Sequence, residues 1–96
     1  MTLQANWSYP TTVKFGPGRI KELGDACLSL GIKNPLLVTD RVLAKLDITQ
    51  TALDILKSSG FDGPVFCEVD PNPNEVNLEA GLSAYRTGNH DGVVAF

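Results

Sequence analysis

The stretch PLLVTD at residues 35–40 decides the fold that this sequence predicts. Its first five residues are apolar or β-branched without polar alternation, which is typical of a strand buried on both faces of a parallel sheet. Parallel strands need long crossover connections, and helices on the two faces of the sheet usually provide them. The stretch therefore predicts an α/β fold, with Asp40 immediately after the end of a buried strand.

The residues on either side of this strand have the spacing of helices. Apolar residues recur every three or four positions within residues 20–30 and again within residues 48–56. Gly31 and Gly60 follow these two stripes, at the position where a helix commonly ends in a left-handed residue. Residues 47–50, DITQ, have the spacing of a capping box and predict the start of the second helix.

The remainder of the chain continues the alternation of strands and helices. Further strands are predicted at residues 11–15, 65–69 and 92–96, and further helical segments at residues 41–46 and 74–88. Crossovers of one hand then place the strands in one parallel sheet. Because the chain ends within an apolar strand, without the helix that normally covers it, we expect it to be the N-terminal part of a longer α/β protein.

Composition and charge narrow the classes of function. Eight Lys and Arg residues against eleven Asp and Glu give a net charge of −3 without a basic cluster, so we expect no nucleic-acid partner. No apolar run reaches the roughly 20 residues of a membrane span, and residues 1–6 lack the features of a signal peptide. Cys27 and Cys67 are isolated, which favours free thiols and a cytoplasmic location.

Two polar residues stand where a ligand of an open parallel sheet binds, beyond the carboxyl ends of the strands. Asp40 follows the strand at residues 35–39, and Asn72 is held between Pro71 and Pro73 after the strand at residues 65–69. A carboxylate at this edge accepts hydrogen bonds from a ribose diol and repels a 2′-phosphate, so Asp40 favours NAD over NADP. The alternatives are that Asp40 caps the next helix and that Asn72 is an ordinary turn residue.

Three further features give weaker signals. Residues 16–18, GPG, lie between a strand and a helix like the start of a phosphate-binding loop. The position of the third glycine is occupied by Lys21 and Pro17 lacks an N–H, so we predict a simple turn. His90 is expected to be an exposed loop residue. The chain has too few His and Cys residues for a transition-metal site, so we predict no metal ligand in it.

Four segments together resemble the iron-containing (group III) alcohol dehydrogenases in order and spacing. They are GPG at residues 16–18, LLVTD at 36–40, VDPNPN at 69–74 and DGVVAF at 91–96. The resemblance covers essentially the whole chain. It implies a Rossmann-like, parallel-sheet nucleotide-binding domain that is normally followed by an all-helical metal-binding domain. Residues 1–96 would be the N-terminal part of the NAD(P)-binding α/β domain, and the helical domain is not in this chain.

The resemblance also implies an activity, which is hydride transfer between a primary or secondary alcohol and NAD, assisted by a divalent iron or zinc ion. Asp40 matches the family's acid at the adenosine ribose, and Asn72 matches the asparagine of its Pro-Asn-Pro loop on the same edge of the cofactor. The pyrophosphate loop and the metal ligands would lie beyond Phe96, so no catalytic residue is expected here. Family members often dimerise through N-terminal strands, where Trp7 and Tyr9 would pack, so we expect a homodimer or a larger homo-oligomer.

Two alternatives remain open from the sequence. One is a related enzyme with the same nucleotide domain, such as a glycerol dehydrogenase or a dehydroquinate-synthase-like lyase, which would differ in metal ligands outside this chain. The other is a stand-alone α/β binding or receiver module that is complete at 96 residues. If the dehydrogenase interpretation is correct, we expect the free 96-residue polypeptide to be inactive and poorly folded.

Overall fold

The computed structural model describes residues 4–8 and 11–96. The elements in the described residues are β1 (Ala5–Ser8), β2 (Thr12–Phe15), α1 (Leu23–Ser29), β3 (Pro35–Val38), α2 (Asp47–Ser58), β4 (Val65–Phe66), α3 (Glu75–Thr87) and β5 (Gly92–Ala95). Short 3-10 helices at Arg19–Glu22 and Leu43–Lys45 precede α1 and α2. The packing predicted for the Trp7 and Tyr9 side chains lies outside what the structure describes.

The predicted parallel sheet is confirmed, and β3 lies at its centre. The strands β4 and β5 pair with β3 on opposite sides, both in parallel, in the order β4-β3-β5. Leu36 and Leu37 in β3 are 3% and 0% exposed. Because β3 has a partner on each side and packing on each face, its residues form an uninterrupted apolar run.

The strand β2 does not belong to this sheet. It pairs in antiparallel with β1, with Ala5 opposite Phe15 and Ser8 opposite Thr12, in a separate two-stranded sheet. The prediction of a strand at residues 11–15 is therefore confirmed, but its expected place in the parallel sheet is wrong. The physical reason is that β1 lies only a few residues away and pairs with it locally.

One face of the parallel sheet packs against α1 and α2. The buried residues of this core are Cys27, Leu37, Ala52, Leu56 and Phe61. Full burial of a leucine side chain stabilises the fold by roughly 1.5–3 kcal/mol, so the two leucines are its main anchors. The predicted stripes supply this core, but Leu30 and Ile48 are 77% and 53% exposed. Leu30 lies beyond the end of α1, and Ile48 lies in the first turn of α2.

The predicted glycine positions end both helices of this layer. Gly31 has φ 75° and Gly60 has φ 94°, a backbone conformation that glycine adopts without a steric penalty. A third glycine, Gly24 in α1, is buried against the end of α2. A Cβ atom at Gly24 would lie 2.8 Å from the Cβ and 1.8 Å from the Oγ of Ser59, so the two helices approach closely there.

The capping interactions differ from the prediction. Asp47 is already the first residue of α2, its neighbour Leu46 occupies the cap position without a side-chain bond, and Gln50 donates to Asp54 instead. The expected box at residues 47–50 is therefore wrong, because the extended residue at the cap position is Leu46, one residue earlier, and Asp47 is already helical. A capping box does form at α3, where Asn74 accepts from the Asn77 amide at 3.0 Å and donates to its side chain at 3.3 Å.

The helix α3 lies over the other face of the sheet and leaves an apolar cleft of about 800 Å³. The cleft is lined mainly by Leu36, Val38, Phe66, Leu78, Leu82 and Val93. No residue of α3 is fully buried, and Leu78 is 63% exposed. None of the helices in the described part of the chain has the length and apolar character to cross a membrane.

Candidate functional site

The polar candidates lie at the edge of the parallel sheet where β3, β4 and β5 all end. Hydrogen bonds continue the ladder just past these ends, from Thr39 N to Phe66 O at 3.0 Å and from Phe96 N to Val38 O at 2.9 Å. The loops at residues 39–42 and 67–74 therefore leave the sheet at the same edge, here called the carboxyl edge. Asp40 and Asn72, the two predicted site residues, belong to these two loops.

Asp40 is half-buried and uses one carboxylate oxygen locally. Its Oδ1 accepts a hydrogen bond of 2.7 Å from the Leu43 amide, and its carbonyl accepts one from the Ala44 amide at 3.0 Å. Asp40 thus accepts from the first amide of the 3-10 helix at Leu43–Lys45, although the cap position of that helix is Val42. A carboxylate has about four lone-pair sites, and Oδ2 of Asp40 makes no hydrogen bond to any residue in the described ranges. The hydrogen bond from Leu43 fixes the carboxylate while leaving this second oxygen available to a ligand.

Asn72 is exposed between the two prolines, and its side chain forms no hydrogen bond within residues 4–8 and 11–96. The backbone near Asn72 is restrained because Pro71 and Pro73 fix φ at their positions. The side-chain amide of Asn72 is therefore held near the carboxyl edge, and no hydrogen bond to the described residues occupies it. This arrangement is compatible with a ligand contact and equally with a turn.

An ion pair links the two loops, and the sequence did not predict it. Arg41 Nη1 lies 2.5 Å from Asp70 Oδ1, and Asn77 at the start of α3 donates to Asp70 Oδ2 at 3.1 Å. The Asp70 amide in turn donates to Asn77 Oδ1 at 3.2 Å. The hydrogen bonds from Asn77 and then from Arg41 hold the pKa of Asp70 below its ordinary value, so it is ionised near neutral pH. The only sequence signal was a pair of opposite charges after neighbouring strands.

The other sequence candidates lie elsewhere. The GPG segment forms the predicted turn, in which Gly18 has φ 74° and the Arg19 amide donates to the Gly16 carbonyl at 3.3 Å. The expectation of an exposed His90 is wrong: His90 is half-buried, with Nδ1 3.1 Å from the Asn34 carbonyl oxygen. It lies at the opposite edge of the sheet, because residues 33–34 and 89–91 precede β3 and β5.

A metal site is not formed by the part of the chain that the structure describes. No three His, Cys, Asp or Glu side chains come together there. The described residues therefore do not fit a resident metal ion. What the carboxyl edge offers instead is a carboxylate oxygen, an exposed amide and one guanidinium that is already paired. This donor and acceptor set suits a polar organic ligand such as a nucleoside.

Comparison with known proteins identifies relatives among dehydrogenases. The 1,3-propanediol dehydrogenase of Citrobacter freundii is 37% identical over 87 residues, which are 88% of this chain and 22% of that protein. The choline dehydrogenase of Bacillus subtilis is 35% identical over 86 residues, which are 90% of this chain and 21% of that protein. The chain thus spans about a fifth of the length of these relatives.

Solved structures give the same result for the fold. A crystal structure of a 1,3-propanediol oxidoreductase superposes with a TM-score of 0.82 and 32% identity, covering 99% of this chain and 24% of that one. An alcohol dehydrogenase from Oenococcus oeni gives a TM-score of 0.75 at 33% identity, covering 82% of this chain and 21% of that one. A sulfoacetaldehyde reductase from Bifidobacterium kashiwanohense, solved in complex with NAD+, shares the fold at 24% identity with a TM-score of 0.72.

The family profile described as iron-containing alcohol dehydrogenase matches residues 10–96. The match includes β2, the whole parallel sheet and both loops of the carboxyl edge. The relatives named above are oxidoreductases, and the fold is the Rossmann-like α/β domain of their N-terminal portion. By sequence and by fold, the chain belongs to the iron-containing alcohol dehydrogenase family.

Proposed function

We propose that the whole protein transfers a hydride between a primary or secondary alcohol and NAD, and that this chain binds the adenosine half of the cofactor. Membership of the family and the names of the relatives support the reaction class. The observation that carries the role of this chain is the free Oδ2 of Asp40 at the carboxyl edge, beside the loop of Asn72. Ligands of open α/β sheets bind at such an edge.

The proposed role of Asp40 follows from its geometry. Its Oδ1 is held by the Leu43 amide at 2.7 Å, so the carboxylate has a defined orientation before any ligand arrives. The Oδ2 atom would accept hydrogen bonds from the ribose hydroxyls. A 2′-phosphate in the same place would meet a like charge at short range, which is unfavourable. Asp40 therefore favours NAD over NADP in this proposal.

Asn72 would contribute a neutral donor and acceptor to the same nucleoside. Its amide has both functions, and the flanking prolines limit the entropy lost when it engages a ligand. Contacts of this kind act on a part of the cofactor remote from the reacting carbon, and their binding energy supports positioning at that carbon.

NAD+, when bound, supplies the hydride acceptor of the reaction. The described residues of this chain would bind and orient its adenosine side and take no part in the bond changes. A metal ion of the kind that the family name indicates would have its ligands outside the described residues, since these bring no suitable cluster together. We accordingly assign no catalytic residue to this chain.

The proposal extends to assembly and location. The strand β1 has β2 as its partner among the described residues and presents its other edge, which supports a homodimer formed through paired N-terminal strands. Cys27 and Cys67 are free thiols, which supports a cytoplasmic protein. Light scattering of the whole protein at micromolar concentration tests the first point, because a monomer would contradict it.

The test of the site is calorimetric titration of the whole protein with NAD+ and with NADP+, for the wild type and Asp40→Asn. The asparagine retains an oxygen for the Leu43 amide, so this hydrogen bond is preserved while the charge is removed. Loss of a charged hydrogen bond worth about 1.5–3 kcal/mol predicts NAD+ binding weakened about ten- to a hundredfold. The preference for NAD+ over NADP+ should fall as well.

Asp62→Asn is the matched control, because Asp62 is an exposed carboxylate in the loop that precedes β4, at the opposite edge of the sheet. It should leave both affinities unchanged. Unchanged NAD+ affinity in Asp40→Asn would refute the role of Asp40, and equal wild-type affinity for the two cofactors would refute the selectivity. Asn72→Ala should weaken both cofactors to a similar degree.

A further inference from the structure

The two loops that carry the proposed nucleoside contacts have little direct connection through the sheet. The ladder between β3 and β4 consists of the pairs Leu37 with Val65 and Val38 with Phe66, extended by one bond from the Thr39 amide. Beyond that point the second loop leaves the sheet. The Arg41–Asp70 ion pair supplies a second connection between the loops, because it joins the residue after Asp40 to the residue two positions before Asn72.

Asp70 is itself anchored on the opposite side from Arg41. Its Oδ2 accepts from Asn77 Nδ2 at 3.1 Å and its amide donates to Asn77 Oδ1 at 3.2 Å. Asn77 belongs to the capping box with Asn74, so α3 holds it in place. Both oxygens of Asp70 are thus occupied, one by Arg41 and the other by Asn77. Asp70 has no oxygen left in the way that Asp40 has, so its contribution is to position other groups.

The pairing also determines where the positive charge of the carboxyl edge lies. The loops at residues 39–42 and 67–74 contain three carboxylates, from Asp40, Glu68 and Asp70, and a single cation, Arg41. The Arg41 side chain is 55% exposed. Without Asp70, this guanidinium would be attracted to the neighbouring Asp40, the carboxylate that the ribose needs. It would equally be available to a phosphate placed on the ribose, because arginine binds phosphate in a bidentate manner.

We propose that Asp70 is a positioning residue for cofactor selectivity: by holding Arg41, it leaves Oδ2 of Asp40 open to the ribose diol and withholds the guanidinium from a 2′-phosphate. This inference rests on the proposed function, because it assumes that Asp40 contacts the ribose. The substrate class that it concerns is the pair of dinucleotides that differ only in that phosphate. The action of Asp70 passes through Arg41, which makes the proposal separable from a general effect on the fold.

The experiment measures the dissociation constants of NAD+ and NADP+ by calorimetry in the whole protein, without turnover. Asp70→Asn should weaken NAD+ and tighten NADP+. The ratio of the two dissociation constants should move toward NADP+ by about two- to fivefold, which is the scale of one exposed ion pair. Arg41→Gln alone should leave NADP+ weakly bound. In Asp70→Asn/Arg41→Gln, the ratio should return toward that of Arg41→Gln, because the released cation is no longer present.

Glu22→Gln is the matched control. It removes one carboxylate charge and breaks the ion pair of Glu22 with Arg19, at 2.6 Å, on the 3-10 helix before α1. The cofactor ratio should not change in this variant. Thermal unfolding of each variant shows whether it is folded, and Asp70→Glu provides a second variant that keeps the charge and should preserve the selectivity.

Two results would overturn the proposal. One is that Asp70→Asn weakens the binding of both cofactors equally, as a general loosening of the loop would do. The other is that the ratio shifts to the same extent with and without Arg41. These failures differ from failure of the proposed function: if Asp40→Asn reduces NAD+ affinity while Asp70→Asn leaves the ratio unchanged, only the role of Asp70 is refuted. If Asp40→Asn has no effect, the ribose contact itself is refuted.

Discussion

The packing of α1 against α2 can be tested at the contact between Gly24 of α1 and Ser59, the residue that follows α2. A Cβ atom at Gly24 would lie 1.8 Å from Ser59 Oγ and 2.8 Å from Ser59 Cβ. The hydroxyl can rotate away, but the Cβ atom is fixed to the backbone. Gly24→Ala therefore requires α1 and α2 to move apart over the buried core that they share.

The magnitude follows from two opposing effects. Replacing glycine by alanine inside a helix stabilises it by about 1 kcal/mol. Forcing extra volume into a packed contact costs about 1–3 kcal/mol. The clash is with a fixed atom, so we place the cost in the upper part of that range. We expect Gly24→Ala to lower the free energy of unfolding by about 1–2 kcal/mol.

Gly81 in α3 provides the matched control. A Cβ atom there would lie 3.5 Å from the nearest atom of the Phe66 ring, which is an ordinary contact. Gly81→Ala should therefore raise the free energy of unfolding by about 1 kcal/mol. The two substitutions are chemically identical, and their opposite signs depend only on the surroundings.

Urea-induced unfolding of the whole protein, followed by circular dichroism, measures both effects. Ser59→Gly removes both clashing atoms, so it should restore the stability of Gly24→Ala, whereas Ser59→Ala keeps the Cβ atom and should restore less. If Gly24→Ala is as stabilising as Gly81→Ala, or if Ser59→Gly gives no rescue, the packing of α1 against α2 is not as described.

Two further predictions concern hydrogen bonds. Thr49 is 1% exposed and donates to the Leu43 carbonyl at 2.6 Å, so Thr49→Val should lower the free energy of unfolding by about 1–3 kcal/mol in urea titrations, and an unchanged value would contradict this. Asp91 accepts from the amides of Lys33 and Asn34, which hold its pKa below the ordinary value. The stability that Asp91 contributes is therefore complete above about pH 4 and is lost as the pH falls through the lowered pKa. In Asp91→Asn, the melting temperature should therefore fall less steeply below about pH 4 than in the wild type. Parallel plots of melting temperature against pH for the two proteins would refute this.

Local patterns predicted the parts of the fold that local physics determines. The apolar run at residues 35–39 predicted a central buried strand, and Gly31 and Gly60 predicted the left-handed helix ends. Asn74 predicted the start of α3. Each of these features depends on neighbours within a few positions, or on burial on both faces, which leaves a continuous signal in the sequence.

The features that the sequence did not predict depend on distant partners. The ion pair between Arg41 and Asp70 joins residues 29 positions apart, so no spacing rule detects it. The antiparallel pairing of β2 depended on β1, which has no apolar pattern of its own. The helix α2 starts one residue earlier than predicted, with the extended Leu46 at the cap position, so Asp47 cannot form the cap. For the site, the sequence indicated the loops of Asp40 and Asn72, and their roles remain predictions.

The low burial of α3 has a consequence for the motions of the carboxyl edge. No residue of α3 is fully buried, yet Asn77 at its first turn is the anchor of Asp70. Segments with few buried contacts open most readily, so we expect backbone amides of α3 to exchange with deuterium far sooner than those of β3. A ligand bound at the carboxyl edge would then slow exchange along α3 well beyond the atoms that it contacts. Hydrogen–deuterium exchange mass spectrometry would detect its binding as protection of this helix.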